Sequence, residues 1–419
     1  MDEREQTGKL LQKKEIGAEN FVFLVCLIGF FVFFVVQMGV ANTLNTFMNT
    51  AYSLLMNTVF YLMAICVLMG AVSALCSEFG VVALANRVLD PLMKPLYGLP
   101  GAASVGVVTT FLSDNPAILA LAEDRYFKSL FKKYQFPALT NLGTAFGMGL
   151  IVCTYMISLS AVSGESYLMP VGVGLTGAVV GSIVSTRMML RFTAKLYGRD
   201  EDMIPGARPA EGGVRTRPIR EGNLGSRFMG ALLEGGMSGV KMGFNIIPGV
   251  LIICTIVMML TNGPAEGGSY TGAAYEGVRL LPWLADKANF ILKPLFGFST
   301  PECVGVPITA LGAAGAATSM TAQLVASGLA NAGDIAVFTA MCMCWSGYLS
   351  THVSMMNSLN CNNLISKAIA SHTVGGLCAG VQPLWKITWQ FLKKLKIELP
   401  YDPAIVLLGI YSKELKAGS

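Results

Sequence analysis

Long apolar runs without any charge alternate along the chain with short polar and charged segments. No charged residue occurs from 21 to 77, which leaves room for two membrane spans of about 20 residues each, separated by the polar stretch 41–50. Later uncharged runs each predict a further span or a large part of one. The pattern therefore predicts an all-helical polytopic membrane protein with about seven transmembrane helices. The later runs are 137–164, 166–186, 242–265, 335–366 and 368–385.

Charge is concentrated between the spans and gives their direction. The segment 187–227 carries nine Lys and Arg but five Asp and Glu, and this excess of cations predicts a cytoplasmic linker. If the N-terminal tail lies on the same side, an even number of spans must precede the linker, and 21–43, 52–77, 137–160 and 167–190 satisfy this. We therefore expect a multi-pass protein of the cell inner (plasma) membrane, with its N-terminus and central linker in the cytoplasm.

One stretch of sequence occurs twice. Residues 94–112 and 293–311 align without a gap at an offset of 199, and nine of 19 positions are identical, including Lys-Pro-Leu-x-Gly and Val-Gly-Val. The first copy is entered from the cytoplasm. The second is entered from outside, because one further span, about 231–261, separates it from the linker. We therefore expect an inverted-topology repeat, which is the design of secondary transporters.

The segment after each Lys-Pro-Leu-x-Gly motif is too short to cross the membrane twice. About 12 residues lead to the Ser-Asp-Asn-Pro sequence at 113–116, and an arm of that length reaches roughly 18 Å, about half of the bilayer. Residues 312–319 form the corresponding tip in the second copy. The sequence thus predicts two re-entrant helical hairpins, whose tips line a cavity near the membrane centre.

The resulting organisation has six parts. Each repeat should contain a transmembrane helix, an interfacial helix, a hairpin and two transmembrane helices. The side of the membrane on which the C-terminus lies stays open, because the repeat places it outside while its lysines favour the inside. The parts are a cytoplasmic tail (1–20), a first transmembrane helix (21–50), repeat 1 (51–192), the cytoplasmic linker (193–227), inverted repeat 2 (228–385) and an amphipathic C-terminal segment (386–419).

Polar residues at the first hairpin tip are the leading candidates for a substrate or ion site. Asp114 is the single charge between Lys94 and Glu123, and a carboxylate within the membrane points to function. It is suited to binding Na⁺, carrying a proton or meeting an amino group of the substrate. Ser113 and Asn115 would add hydrogen bonds, and the same residue types also form an ordinary helix cap.

The second hairpin offers a carboxylate and two hydroxyls. Glu302 is the single charge between Lys293 and Asp334, at the outer start of the hairpin, where a ligand and an interfacial residue are equally expected. Thr318 and Ser319 are predicted at a half-helix N-terminus, whose dipole favours anions. Close packing of small residues is the alternative for these two.

The spans after each hairpin are rich in Gly and polar residues, which predicts interrupted helices. Asn141 and Thr144 in the first span, and Ser346 and Asn357 in the second, are candidate binding residues. The alternative is hydrogen bonding between helices, which polar residues in membrane bundles commonly provide. His352 is a candidate proton relay or a structural histidine bonded to a carbonyl.

The two Lys-Pro-Leu-x-Gly hairpins on either side of a cytoplasmic linker resemble those of the nucleoside-recognition (gate) domain membrane proteins, a group that includes the spore maturation proteins. The order of elements over about 52–385 is also similar to the core of concentrative nucleoside transporters. This resemblance implies a symmetric homo-oligomer and helices interrupted beside the substrate.

The function expected from these features is ion-coupled secondary transport of a small polar solute, nucleoside-like or amino-acid- or peptide-like, by alternating access with Na⁺ or H⁺. The alternative is a non-transporting membrane scaffold or accessory factor of the spore-maturation type. A metal-ion permease is less expected, because Cys342 and Cys344 do not share a helix face. With 13% charged residues and no catalytic or nucleotide signature, no enzyme, cofactor, resident metal or nucleic-acid partner is expected.

Overall fold

The computed structural model describes residues 15–113, 125–204, 219–265, 268–312, 314–346 and 348–381. In these ranges the protein is built of helices. Within these ranges the β pairing is a single isolated bridge between Lys132 and Asp202. The prediction of an all-helical polytopic membrane protein is confirmed. Five helical stretches are long and apolar enough to cross a membrane: Ala18–Met38, Val40–Glu78, Ala138–Ser163, Leu168–Tyr197 and Leu224–Thr261.

The helices are labelled in chain order. Those of the first half are α1 (Ala18–Met38), α2 (Val40–Leu54), α3 (Phe60–Glu78), α4 (Val81–Leu92), α5 (Ala103–Leu112), α6 (Arg125–Ser129), α7 (Ala138–Thr144), α8 (Gly149–Ser158), α9 (Ser160–Ser163) and α10 (Leu168–Tyr197). Those of the second half are α11 (Leu224–Pro248), α12 (Thr255–Thr261), α13 (Leu280–Lys287), α14 (Asn289–Phe296), α15 (Gly305–Gly312), α16 (Ala314–Ala326), α17 (Ala332–Cys344), α18 (Tyr348–Ser358) and α19 (Ile365–Gly380).

Corresponding elements follow one another in the same order in the two halves. The helices α4 and α13 begin 199 residues apart, at Val81 and Leu280, and α8 and α18 begin 199 residues apart, at Gly149 and Tyr348. A π-helical turn also interrupts the long helix that precedes α4 and the one that precedes α13, at Leu55–Val59 and Gly249–Cys254. The offset of the repeated motif therefore extends beyond the motif itself.

The long helices of the two halves cross in opposite directions. Gly70 of α3 faces Gly235 of α11, whereas Gly243, further along α11, faces Met63, which is earlier on α3. The chain positions thus run against each other along this contact, which is the most extensive between any two described elements. Helices related by an inverted repeat cross in this antiparallel sense.

The helices α10 and α19 show the same arrangement. A Cβ atom on Gly181 would lie 2.5 Å from the carbonyl oxygen of Gly375, and one on Gly375 would lie 2.6 Å from the carbonyl oxygen of Gly181. Gly177, one turn before Gly181, faces Ala379, one turn after Gly375. Glycine lacks a side chain and therefore lets the backbones approach this closely, which is its usual role between membrane helices.

The first helix ends earlier than the sequence suggested. The transmembrane helix expected over 21–50 stops at Met38, because Gly39 adopts φ 80° and interrupts the helix. The polar stretch that follows was expected to separate two spans, but it is helical and forms α2. A π-helical turn then joins α2 to α3, so that Val40–Glu78 is one helical stretch of 39 residues.

The polar face of α2 binds the loop between α12 and α13. Asn42 donates to the carbonyl of Tyr270 at 3.1 Å, and Asn49 donates to the carbonyl of Gly272 at 2.8 Å. Side chains of the polar stretch therefore satisfy backbone groups of the loop, and Asn45 and Asn49 remain exposed at its surface. Its hydrophilic character reflects this tertiary contact.

Glu276 organises the same loop. Its carboxylate accepts hydrogen bonds from the backbone N–H groups of Thr271 and Gly272, at 3.0 Å and 2.9 Å, and from the Thr271 hydroxyl at 2.6 Å. Burial acts to raise the pKa of Glu276, but the hydrogen bonds from Thr271 and Gly272 outweigh it, and the pKa lies below its usual value. The loop is thus built around the charged carboxylate.

We expect Glu276→Gln to reduce the free energy of unfolding by about 1–3 kcal/mol, because the amide nitrogen cannot accept from the buried N–H donors. Because the folded-state pKa is depressed, this contribution is present above the ordinary carboxyl pKa and is lost as the pH falls through the folded-state value. Thermal unfolding in detergent at neutral pH measures the change. The exposed Glu165→Gln is the matched control, and equal losses in both variants would contradict this role.

A second expectation concerns the crossing of α3 and α11. A methyl group on Gly239 would meet the backbone of Cys66 and lie 2.6 Å from the Cα of Val67, so Gly239→Ala should force the helices apart and cost about 1–3 kcal/mol. Gly172 on α10 has open space around it, and Gly172→Ala should be neutral or slightly stabilising. Melting temperature and gel-filtration profile compare the two variants. Equal melting temperatures of the two variants would show that the crossing of α3 and α11 has room for a methyl group at Gly239.

Candidate functional site

The chain contains two histidines, and they lie side by side in the protein interior. The ring centroids of His352 on α18 and His372 on α19 are 4.4 Å apart, and both residues are buried. The ring of Tyr348 lies beside both imidazoles. The pair occupies the place where α7, α10, α18 and α19 meet, next to the interruption between α17 and α18.

Both ring nitrogens of His352 face oxygen atoms. Nδ1 lies 2.8 Å from the carbonyl oxygen of Tyr348 and therefore carries a hydrogen that it donates. Nε2 lies 3.3 Å from Oγ1 of Thr144, whose hydroxyl donates to the carbonyl of Thr140 at 2.7 Å. One hydroxyl hydrogen cannot serve both acceptors. In the neutral form, Nε2 of His352 thus keeps a lone pair that lacks a good donor.

Asn141 connects His372 to the helices around it. Its Nδ2 donates to Oγ of Ser185 at 3.0 Å and to the carbonyl of Ala368 at 2.9 Å. Oγ of Ser185 lies 3.1 Å from Nδ1 of His372. Ser185 accepts from Asn141 and still has a hydrogen to donate to Nδ1; with that donation, the proton of neutral His372 is on Nε2.

Buried polar atoms without a hydrogen-bond partner accumulate at this place. Seven such side-chain atoms occur in the described residues, and four of them lie on helices that form the site: Thr140 Oγ1, Asn141 Oδ1, Thr186 Oγ1 and His372 Nε2. An unpaired buried polar group costs about 1–3 kcal/mol, so a concentration of them marks a site adapted to binding something polar. We call the following residues the histidine cluster: Thr140, Asn141, Thr144, Ser185, Thr186, His352 and His372.

The interruption of the second helix borders the histidine cluster. Trp345 and Ser346, which follow the end of α17, are both buried. The indole Nε1 of Trp345 donates to the carbonyl of His372 at 3.3 Å. The candidate residue Ser346 therefore lies beside the cluster, whereas the candidate Asn357, further along α18, is exposed.

The first hairpin contributes one described candidate. Ser113 directly follows α5, is half-buried, and donates its hydroxyl hydrogen to the carbonyl of Thr109 at 2.6 Å. Asp114 and Asn115 lie outside the described residues. The structure therefore assigns Ser113 a bond to its own helix.

The second hairpin is formed by α15 and α16, and its hydroxyls are used within the helix. Thr318 and Ser319 are buried and both donate to the carbonyl of Gly315, at 2.8 Å and 2.9 Å. They lie more than one turn after the start of α16 at Ala314, instead of at the helix terminus where the sequence placed them. Their hydroxyl hydrogens are already committed to the backbone.

Glu302 lies at the start of the second hairpin, away from its tip. Its carboxylate is almost fully buried and forms an ion pair with Arg279, which precedes α13. The pair joins the short helical turn at Pro301–Val304 to the loop before α13. This geometry gives Glu302 an anchoring contact at the hairpin base.

The structure thus brings together three of the sequence candidates, Asn141, Thr144 and His352, and adds four residues that the sequence did not single out. Those four are Thr140, Ser185, Thr186 and His372. His372 is the one residue that can take a charge within the apolar stretch 368–377, and an ionisable residue in such a stretch is a signal for function. Ser185 gives no comparable signal, because small hydroxyl residues are common in membrane helices.

In the described part of the chain, no three His, Cys, Asp or Glu side chains form a group that could hold a metal ion. Cys342 and Cys344 are buried, and Sγ of Cys344 faces the carbonyl of Ala178 at 3.6 Å. The two thiols are therefore packing residues of α17.

No family model matches the sequence. Two solved structures are similar to part of the chain, both of variants of the concentrative nucleoside transporter CNTnw in an outward-facing state. Each is 13% identical and covers 79% of this chain and 76% of the other, with TM-scores of 0.46 and 0.48. The function is therefore argued from the histidine cluster and its surroundings.

Proposed function

We propose that this protein is a secondary transporter that carries a small polar solute across the inner (plasma) membrane by alternating access. The observation that supports this most strongly is the histidine cluster, which lies beside the interruption between α17 and α18 and contains buried polar atoms without a hydrogen-bond partner. Interrupted helices at matching positions of an inverted repeat are the usual place of a transporter binding site. A polar solute at this place would provide the missing hydrogen bonds.

The solute would be bound by complementary hydrogen-bonding groups. Oδ1 of Asn141 offers an acceptor, Nε2 of His372 offers a donor, and the hydroxyls of Thr140 and Thr186 offer either. The rings of Tyr348 and the two histidines add flat apolar surface. This combination suits a compact solute with both donors and acceptors, such as a nucleoside or an amino acid or short peptide.

The state described here is closed. The residues of the histidine cluster are at most 1% exposed, so water reaches them from neither side of the protein. Transport requires the cluster to open to one side at a time. The elements proposed to move are α5 and the second hairpin, α15 and α16, because α5 packs against α7 and α8, and the second hairpin packs against α17.

Coupling to Na⁺ or H⁺ is part of the proposal, as is a homo-oligomeric assembly. Asp114 at the first hairpin tip remains the proposed carboxylate of the coupling machinery, together with Asn115. Asp114→Ala should then lose gradient-driven uptake.

A first test measures exchange of labelled solutes. We expect counterflow of at least one of labelled uridine, adenine, leucine or glycyl-leucine in proteoliposomes, and a loss of about tenfold or more in Asn141→Leu, because two buried hydrogen bonds and one acceptor are removed. The matched control is Asn57→Leu, since Asn57 is exposed on the π-helical turn before α3. Equal rates in both variants would exclude Asn141 from solute binding.

A second test distinguishes a transporter from a scaffold without knowledge of the solute. In a variant lacking the native cysteines, Thr140→Cys should react with a membrane-impermeant thiol reagent about tenfold faster than Ala231→Cys, because the transport cycle exposes the histidine cluster to water. Ala231 is equally buried, at the crossing of α3 and α11. If both cysteines were equally unreactive from both sides, the cluster would be permanently dry and the scaffold alternative would be favoured.

A further inference from the structure

We propose that His352 is the proton-binding group of this transporter and that the His352–His372 pair binds one proton in each cycle. The inference rests on the proposed transport function and makes H⁺ the coupling ion. It follows from the hydrogen-bond geometry of the two imidazoles, the groups that surround them, and the difference between the two repeats at this place.

The hydrogen bonds around His352 are already arranged for its protonated form. Once Nε2 carries a proton, it donates to Oγ1 of Thr144, which can accept while still donating its own hydrogen to the carbonyl of Thr140. Nδ1 continues to donate to the carbonyl of Tyr348. Every hydrogen of the cationic ring then has an acceptor, whereas the neutral ring leaves the Nε2 lone pair without a good donor.

The pair is limited to a single proton. Two imidazolium rings with centroids 4.4 Å apart would repel each other strongly in the protein interior. The proton is assigned to His352, because Nε2 of its cationic ring has Oγ1 of Thr144 as an acceptor, whereas Nε2 of His372 has no partner among the described residues. The two histidines therefore have different roles although they are neighbours.

No fixed countercharge holds this proton among the described residues. The helices packed around the pair carry no Asp or Glu that faces it, and the end of α7 supplies only the partial negative charge of its last carbonyls. Arg187 is directed elsewhere, since it donates to the carbonyl of Leu96, and Lys367 lies over the ring of Phe192. The titratable or charged side chains on these helices, apart from the two histidines, are Arg187, Arg191, Lys195 and Tyr197 on α10, Asp334, Cys342 and Cys344 on α17, Tyr348 on α18, and Lys367 and Cys378 on α19. Asp334, at the start of α17, accepts from the backbone N–H of Ser299 at 3.0 Å.

A weakly held proton suits a carrier. The proton passes from water on the side of higher proton activity to the Nε2 lone pair of His352, and it leaves from the same nitrogen to water on the other side. No other covalent bond changes.

The fold itself does not require histidines at this place. The helices α8 and α18 begin 199 residues apart, and at that offset the position of His352 corresponds to Cys153 in the first half. Cys153 is partly buried, so the first half fills this position with an apolar side chain. The imidazole of His352 is thus a departure from the repeat that packing alone does not explain.

Histidine nitrogen NMR provides a direct test, because the chain has only two histidines when no histidine tag is attached. In ¹⁵N-histidine-labelled protein in nanodiscs, one imidazole should become cationic between about pH 8 and pH 4, while the other keeps its proton on Nε2. The titrating signal should disappear in His352→Gln and remain in His372→Gln. Two neutral rings over the whole range, two cationic rings, or titration of His372 in place of His352 would overturn the proposal.

A transport measurement separates this inference from the proposed function. With uridine and leucine as probes, an inward gradient of about one pH unit should raise wild-type uptake by up to about tenfold at one proton per solute. The ratio of uptake with and without the gradient should fall to about one in His352→Gln, whatever its absolute rate. Wild-type counterflow with no response to the pH gradient would overturn proton coupling alone. Absence of counterflow would count against transport of these probes, and the NMR titration would still decide the proton site.

Discussion

Polar groups in the interior of a membrane protein have no water to bind, so each must find a partner within the protein or be held ready for a ligand. This constraint acts most strongly where α7 and α17 end among buried residues, at Thr144 and Cys344. Trp345 uses its indole hydrogen on the carbonyl of His372, and Asn141 uses its amide on the carbonyl of Ala368. The interruptions and the histidine cluster are therefore two aspects of one arrangement.

The close contact of α10 and α19 sets the dimensions of the cluster. Gly181 and Gly375 bring the two backbones together. Ser185 lies one turn after Gly181, and His372 lies about one turn before Gly375, so both face the same contact from opposite helices. The 3.1 Å separation of Oγ of Ser185 and Nδ1 of His372 depends on this approach. Larger side chains at the glycines would separate the hydrogen-bonding partners as well as the helices.

The periodic features of the sequence anticipated the architecture better than the site. The Gly and polar residues of the two spans correctly predicted interrupted helices, and the offset of 199 recurs in the starts of α8 and α18, because an internal repeat preserves the order of its elements. The polar stretch 41–50 was predicted to separate two spans, but it is helical. Its hydrogen-bond partners are in a loop more than 200 residues away, which the local sequence does not indicate. His372 was overlooked because its importance arises from Ser185 and His352, which only the folded chain brings near it.

The cost of the histidine cluster argues that it is retained for function. Replacing a hydrogen-bonded pair by apolar groups of similar shape is often nearly neutral, and the first half of the chain fills the position that corresponds to His352 with Cys153. The second half instead keeps two imidazoles next to Asn141, whose Oδ1 has no partner within the described protein. A scaffold would gain stability from apolar packing here. A protein that must bind and release a polar solute and a proton needs these atoms free, and it accepts lower stability at that place in return.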